Sequence, residues 1–143
     1  MEAVSWQLVI DARDPHALAD FWAAALGAEV EDNAGLIEGL LAAGHAQQSD
    51  TLVHRGRLSW RDLTAVRGAG PRILLQRVPE DKAVKNRLHV DLNVSSGPGG
   101  KERLRGEVDR LVALGAVECR EWREPGGHWI AMTDPEGNEF DVQ

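Results

Sequence analysis

The sequence lacks several residue types that mark particular classes of protein. Its 143 residues include one cysteine, Cys119, and no tyrosine. A single cysteine excludes an internal disulfide, so a reducing cytoplasm is the expected compartment. Cys119 lies in a predicted strand, where we expect it to act as a small packing residue.

Excess positive charge and long apolar runs are also missing. The formal net charge is −7, which argues against nucleic acid or an anionic membrane as a partner. No segment approaches the roughly 18 apolar residues that span a bilayer. Met1–Val4 does not resemble a signal peptide. A phosphate loop, a dinucleotide fingerprint and a nucleophile elbow are absent from the sequence as well.

The residues present are most informative between positions 133 and 142. Asp134, Pro135 and Gly137 suit a tight turn. After it, Phe140 and Val142 alternate with acidic residues, which predicts a final strand with one apolar and one acidic face. A ligand or a metal ion would have a place on that acidic face.

The chain contains two similar halves. In the first, an alternating strand over Ser5–Asp11 precedes a helix that has Asp14 as N-cap, Pro15 in its first turn and Gly27 as C-cap. In the second, an alternating strand from Arg87 precedes a loop, and then a helix whose apolar stripe contains Leu104, Val108, Leu111 and Val112. Leu-Gly-Ala follows each helix, at Leu26-Gly27-Ala28 and at Leu114-Gly115-Ala116.

The first half is longer than the second. Leu36, Ile37, Leu40 and Leu41 predict a short inserted helix. Thr51–Val53 and Leu58–Val66 predict a hairpin around Arg55-Gly56-Arg57, and Pro71–Val78 predicts a further strand. Pro79–Lys85 is polar and charged, which is typical of a linker.

Four motifs in this order resemble the vicinal-oxygen-chelate superfamily of glyoxalases, bleomycin-resistance proteins and extradiol dioxygenases. More narrowly, they resemble the glyoxalase-like domain proteins of actinobacterial kind. The motifs are Asp14-Pro15 with Ala19-Asp20-Phe21-Trp22 and Leu26-Gly27; Gln76-Arg77-Val78-Pro79; Lys85-Asn86-Arg87-Leu88-His89-Val90-Asp91; and Asp134-Pro135-Glu136-Gly137-Asn138-Glu139-Phe140.

The resemblance implies an α+β fold: two βαβββ modules forming a curled mixed sheet cup with helices outside. It implies one glyoxalase-like domain over residues 1–143. Module 1 would span about residues 1–80, with an insert at 34–50, and module 2 about residues 86–143.

The same resemblance implies a set of site residues. Superfamily members hold a metal with one ligand from the first and last strand of each module, and the corresponding positions are Gln7, Gln76, His89 and Asp141. His89 and Asp141 are good ligands for a divalent ion such as Zn, Ni, Mn or Fe, whereas Gln carbonyls are poor ones. The sequence therefore leaves two possibilities open: the protein binds a divalent metal ion, or it uses no cofactor.

Further residues are expected to line the ligand site. Asp91 would share a strand face with His89 and would either orient its imidazole or act as a structural cap or salt-bridge partner, for example of Arg87 or Lys85. Trp60 and Trp129 are candidate walls of the cavity. Trp6, by contrast, is assigned to the core.

Two functions follow from these expectations. The first is a metal-dependent lyase, isomerase or dioxygenase-like enzyme acting on a small polar or aromatic molecule. The alternative is a metal-free protein that sequesters a small molecule such as an antibiotic, as bleomycin-resistance relatives do. We expect a homodimer in either case, because exposed sheet edges need covering.

Overall fold

The computed structural model describes residues 1–143, which separate into two compact units, Met1–Glu80 and Asp81–Gln143. We refer to them as the first and second units and describe each by itself. No helix in either unit has both the length and the apolar character needed to cross a bilayer.

The first unit contains six strands and two α-helices. In chain order they are β1 (Leu8–Ala12), α1 (Pro15–Leu26), β2 (Glu29–Val30), α2 (Ala34–Ala42), a 3-10 turn (Gln48–Asp50), β3 (Thr51–His54), β4 (Arg57–Trp60), β5 (Leu63–Arg67) and β6 (Ile73–Arg77).

The second unit contains four strands and one helix. These elements are β7 (Val90–Leu92), α3 (Gly100–Ala113), β8 (Val117–Glu124), β9 (Gly127–Thr133) and β10 (Glu139–Val142).

Both units have the same sheet topology. The strand orders are β1-β6-β5-β2 and β7-β10-β9-β8, so each sheet runs first, last, third, second. First and last strands are parallel, and the other neighbours are antiparallel. Each unit is therefore a βαβββ module with a mixed sheet that does not close into a barrel. The predicted α+β class and the paired modules are confirmed.

Local sequence explains the start and end of α1. The Asp14 side chain accepts hydrogen bonds from the backbone N–H groups of His16 and Ala17, each at 3.1 Å. Pro15 occupies the first turn, where its missing N–H is no loss. Gly27 ends the helix in the left-handed region at φ 61°. These are the predicted caps.

One face of each sheet packs under its helix. In the second unit, α3 buries Leu104, Val108 and Leu111, and β10 buries Phe140 and Val142. Val112, predicted to belong to the apolar stripe of this helix, is exposed. The opposite sheet face carries the alternate residues and is called here the open face.

Three further expectations about the fold were wrong. Leu58–Val66 is two strands, because Arg61 breaks the run by donating side-chain hydrogen bonds to the carbonyls of Ser49 and Thr51. Trp6 is exposed, since it precedes β1. Cys119 is exposed at a β-bulge, where it has no partner on β9.

Candidate metal and ligand site

The parallel pair β7–β10 brings three predicted site residues together. Asp91 and Asp141 are direct neighbours in the strand register, and His89 stands just before β7. Its Nε2 lies 3.3 Å from Asp91 Oδ1 and 3.5 Å from Asp141 Oδ2. One donor atom from each residue falls within 4.8 Å of the other two. We call His89, Asp91 and Asp141 the triad.

The β9–β10 turn sets the position of Asp141. Asp134 is buried, and its Oδ1 accepts the backbone N–H groups of Glu136 and Asn138, both at 2.9 Å. Its Oδ2 accepts from Asn138 Nδ2, also at 2.9 Å. Gly137 adopts φ 87°, a conformation that L side chains rarely take. The turn residues thus direct β10 back along β9, with Phe140 inward and Asp141 on the open face.

A second contact network occupies Glu139, the other acidic residue of β10. Lys82 Nζ lies 2.8 Å from its Oε1, and the Asn86 backbone N–H donates to its Oε2 at 3.1 Å. Burial alone would raise the pKa of Glu139, but Lys82, the Asn86 backbone N–H and the backbone N–H of Glu139 itself together outweigh it and hold the pKa below its ordinary value. Glu139 therefore anchors residues 82–86 against β10, leaving the triad as the acidic cluster of this face.

The triad has the electrostatics of a site that favours a cation. Partial burial raises the pKa of Asp141, and the nearby carboxylate of Asp91 acts in the same direction. His89 and Lys85 oppose that change without cancelling it. Two carboxyl groups side by side disfavour double ionisation, and a divalent ion would relieve the repulsion.

The donor spacing fits a shared metal ion. Imidazole nitrogen and carboxylate oxygen bind zinc at about 2.0–2.2 Å, which places two tetrahedral ligands about 3.3 Å apart. The observed separations from His89 Nε2 are 3.3 and 3.5 Å. One imidazole and two carboxylates also form a donor set that suits Zn, Mn or Fe(II). The residues present therefore fit a three-ligand site with further positions open to water or a ligand.

The first unit does not bring Gln7 and Gln76 together. Gln76 is the register partner of Asp11, while Gln7 lies four residues earlier, about 13 Å along the strand at 3.3 Å per residue. Arg72 Nη1 donates to Gln7 Oε1 at 2.7 Å, so this amide oxygen already has a strong partner. Gln76 is exposed.

The two predicted tryptophans differ in their surroundings. Trp60 ends β4 in a separate two-stranded sheet, and its carbonyl accepts from His16 Nε2 at 2.8 Å. Trp129 lies on the open face of the second unit, two residues along β9 from Ala131, which neighbours Asp141. Trp129 therefore shares a sheet face with the triad.

Sequence reasoning missed two residues beside Trp129. Trp122 pairs with it across the strands, and their rings stack with centroids 6.2 Å apart. The Arg120 guanidinium lies 3.7 Å from the Trp122 ring centre. A Cβ at Gly127 would lie 3.1 Å from the Trp129 ring, so glycine leaves room for this ladder. Strict alternation along β8 does not predict this stacked group of Arg120, Trp122 and Trp129. The bulge at Cys119 changes which β8 side chains share a face with Trp129, and the sequence pattern gives no sign of it.

Comparison with known proteins settles the family. The glyoxalase-like domain profile matches residues 7–143, nearly the whole chain. The chain belongs to the glyoxalase-like domain family. The predicted vicinal-oxygen-chelate resemblance is thereby confirmed. No curated protein sequence matches this glyoxalase-like chain significantly.

Solved structures agree with the fold of this glyoxalase-like protein. A glyoxalase/bleomycin resistance protein/dioxygenase family enzyme from Burkholderia phytofirmans PsJN has 17% identity and a TM-score of 0.62, with 95% of this chain and 94% of that chain covered. The bleomycin-binding protein of Streptomyces verticillus, complexed with copper(II)-bleomycin, has 16% identity and a TM-score of 0.53, with 100% and 97% covered.

A third similar structure contains a metal. It is a variant of the fosfomycin resistance protein FosX from Listeria monocytogenes, complexed with Mn(II) and 1S,2S-dihydroxypropylphosphonic acid, at 14% identity and a TM-score of 0.62. The match covers 100% of this chain and 90% of that chain. Because these three structures share only 14–17% sequence identity with the glyoxalase-like chain, they support its fold and not a shared activity.

Proposed function

We propose that this glyoxalase-like protein binds a small polar or aromatic molecule on the open face of its second unit, next to a divalent metal ion held by the triad. The convergence of His89, Asp91 and Asp141 within 4.8 Å carries the proposal. The Mn(II) complex of the Listeria protein supports manganese as the first ion to test.

Each part of the open face has a role in this proposal. His89 and Asp141 would be metal ligands, and Asp91 would either complete the set or orient the imidazole. Trp129 and Trp122 would stack against a planar part of the ligand, and Arg120 would attract a negative group on it. A bound divalent ion would supply Lewis-acid chemistry. Lyase, isomerase and dioxygenase-like reactions are the classes we propose to test.

Metal titration tests this proposal directly. Mn(II) is added to the metal-free protein, and free ion is followed by its electron paramagnetic resonance signal. We expect one ion per chain for the wild type and at least tenfold weaker binding for His89→Ala and Asp141→Asn. Asp109→Asn makes the same chemical change on exposed helix α3 and should bind like the wild type. If neither Mn(II) nor Zn(II), Ni(II) or Fe(II) binds stoichiometrically, the metal assignment is wrong.

Metal-free sequestration is the second candidate function. The observation that favours it is the first unit, where Gln7 is held by Arg72 and lies far along the sheet from Gln76. In this case His89 and Asp141 would hydrogen-bond a polar ligand directly. The bleomycin-binding protein of Streptomyces verticillus makes bleomycin the first ligand to try.

A thermal shift screen separates the two candidates. Sequestration predicts that an antibiotic or aromatic compound raises the melting temperature without metal, and that Trp129→Ala loses this effect. The metal-dependent function predicts that the same compound requires Mn(II) or another divalent ion. A shift that EDTA leaves unchanged would exclude the first candidate for that compound.

A further inference from the structure

The segment that precedes β7 has neither helix nor strand structure. It covers residues 82–88 and is called here the strap. Only Lys82 and Asn86 of the strap are half-buried, whereas the apolar residues Val84 and Leu88 are 79% and 80% exposed. Burial of apolar side chains is the main force that holds a chain segment in place. The strap lacks this force and depends on polar contacts.

Three hydrogen bonds attach the strap to β10 and to the turn before it. Lys82 Nζ donates to Glu139 Oε1 at 2.8 Å, and the Asn86 backbone N–H donates to Glu139 Oε2 at 3.1 Å. Asn86 Nδ2 also donates to Asn138 Oδ1 at 2.9 Å. Because two of the three bonds end on one carboxylate, Glu139 is the principal anchor of the strap.

The strap is covalently close to one member of the triad. Asn86 lies three residues before His89, and three extended residues span at most about 11 Å. His89 itself precedes β7 and stands outside the β7–β10 ladder. Asp91 and Asp141, by contrast, are register partners within that ladder. The strap therefore restrains the triad member that strand pairing does not.

A segment held by partly exposed polar contacts has low local stability. Water replaces such hydrogen bonds at little net cost, so the strap opens more easily than the sheet beside it. Opening frees the backbone that leads into His89, while Asp91 and Asp141 stay paired. The imidazole then adopts orientations that do not face both carboxylates.

We propose that Glu139 is a positioning residue for His89: it docks the strap reversibly, and the docked strap completes the triad. This inference rests on the proposed function, in which the triad holds a divalent ion. Docking of the strap and binding of the ion are then coupled, so that an ion at the triad also stabilises the docked strap.

Lys82→Met separates positioning from a simple effect of charge. It removes a positive charge beside acidic groups, which by electrostatics alone would strengthen the binding of a cation. Loss of the anchor predicts the opposite, Mn(II) binding about fivefold to tenfold weaker in an electron paramagnetic resonance titration. Lys82→Arg keeps a cation opposite Glu139 and should restore the affinity. Lys101→Met removes the same charge from the exposed start of α3 and should leave the affinity unchanged.

Amide hydrogen exchange of the metal-free chain measures docking without any ion. The Asn86 N–H should be better protected than that of Ala83 and less protected than the paired amides of β9 and β10. Glu139→Gln and Lys82→Met should each speed its exchange about fivefold or more. Glu124→Gln makes the same change as Glu139→Gln on exposed β8 and should not. Mn(II) should slow the exchange of Asn86 in the wild type.

The imidazole signals of His89 report its position directly. Long-range proton–nitrogen spectra of the metal-free chain, assigned with His89→Ala, should show shifted His89 ring signals in Lys82→Met. The control Lys101→Met should leave these signals in place. A role of Lys82 confined to overall stability would not move them.

Two results would overturn the inference. One is a Lys82→Met chain that binds Mn(II) as tightly as the wild type or more tightly. The other is a Lys82→Met chain in which the exchange of Asn86 and the ring signals of His89 are both unchanged. If the wild type binds no divalent ion, the proposed metal site fails, and the exchange and imidazole measurements still decide whether Glu139 positions His89.

Discussion

Replacing Asp134 tests whether the buried turn between β9 and β10 positions the candidate site. Its side chain accepts at least three hydrogen bonds, two from backbone N–H groups and one from Asn138 Nδ2. Asp134→Ala leaves both partly buried N–H groups without this acceptor, at about 1–2 kcal/mol for each, and Asn138 Nδ2 loses its partner at about 0.5–1 kcal/mol. The expected loss of unfolding free energy is therefore about 2–5 kcal/mol.

A matched variant separates the contribution of the two backbone N–H hydrogen bonds from that of the bond to Asn138. Asp134→Asn keeps an oxygen for the two N–H groups and loses the bond from Asn138 Nδ2, so it should cost less than the alanine variant, about 1 kcal/mol. Asn138→Ala removes that same side-chain bond and should cost a similar amount. At about 3 °C per kcal/mol for a chain of this size, the alanine variant should melt about 6–15 °C lower.

Urea denaturation followed by tryptophan fluorescence measures these differences, and Mn(II) titration follows the site in parallel. Asp134→Ala should also weaken metal binding, because the turn directs Asp141 towards His89. Two results would refute the reasoning: an alanine variant within 1 kcal/mol of the wild type, or an asparagine variant as unstable as the alanine one.

Three other changes give distinct outcomes. The raised pKa of Asp141 means that the contribution of this carboxyl to the stability of the metal-free protein is lost as pH rises through that pKa; melting curves of the wild type and of Asp141→Asn from pH 4 to 8 should differ by this slope. Gly127→Ala presses a methyl group on the Trp129 ring; it should alter the near-ultraviolet circular dichroism and cost about 1 kcal/mol. Arg72→Ala removes the larger of the two contributions that hold the pKa of Glu31 down, and the hydrogen bond from Arg67 remains. It should cost about 2 kcal/mol at pH 7 and less as the pH falls through the lowered pKa of Glu31, because the contribution of the ionised carboxylate is lost there; urea denaturation at pH 7 and at successively lower pH values checks this difference.

Much of the fold follows from local chemistry that the sequence displays. Asp14, Pro15 and Gly27 act on backbone groups within a few residues of themselves, so the limits of α1 can be predicted without tertiary contacts. The alternation that ends in Phe140 and Val142 predicts the inward face of β10 for the same reason.

The errors arise where distant contacts override the local pattern. Arg61 interrupts an apparently continuous strand because it binds carbonyls of residues 49 and 51. The bulge at Cys119 shifts which residues of β8 face the triad, and alternation alone gives no sign of it. For this reason Arg120 and Trp122 were not predicted as site residues, whereas Trp129, which lies on the regular strand β9, was.

In the candidate site, too, some features could be predicted from the sequence and others depend on contacts between residues far apart in the chain. His89 and Asp141 come together because the first and last strands of the second unit are parallel neighbours, as the family resemblance implies. The separation of Gln7 from Gln76 depends on the register between β1 and β6. Register is a tertiary property, and a sequence without pairing information does not specify it.

The order of strands in the second unit has a consequence for its folding. The triad joins β7, the unit's first strand, to β10, its last, so a long loop must close before His89 and Asp141 meet. Non-local pairs of this kind form late, after the α3 helix and the β8–β9 hairpin. Ion binding at the triad should therefore appear only once the unit is fully folded, which would make a bound metal a kinetic reporter of complete folding.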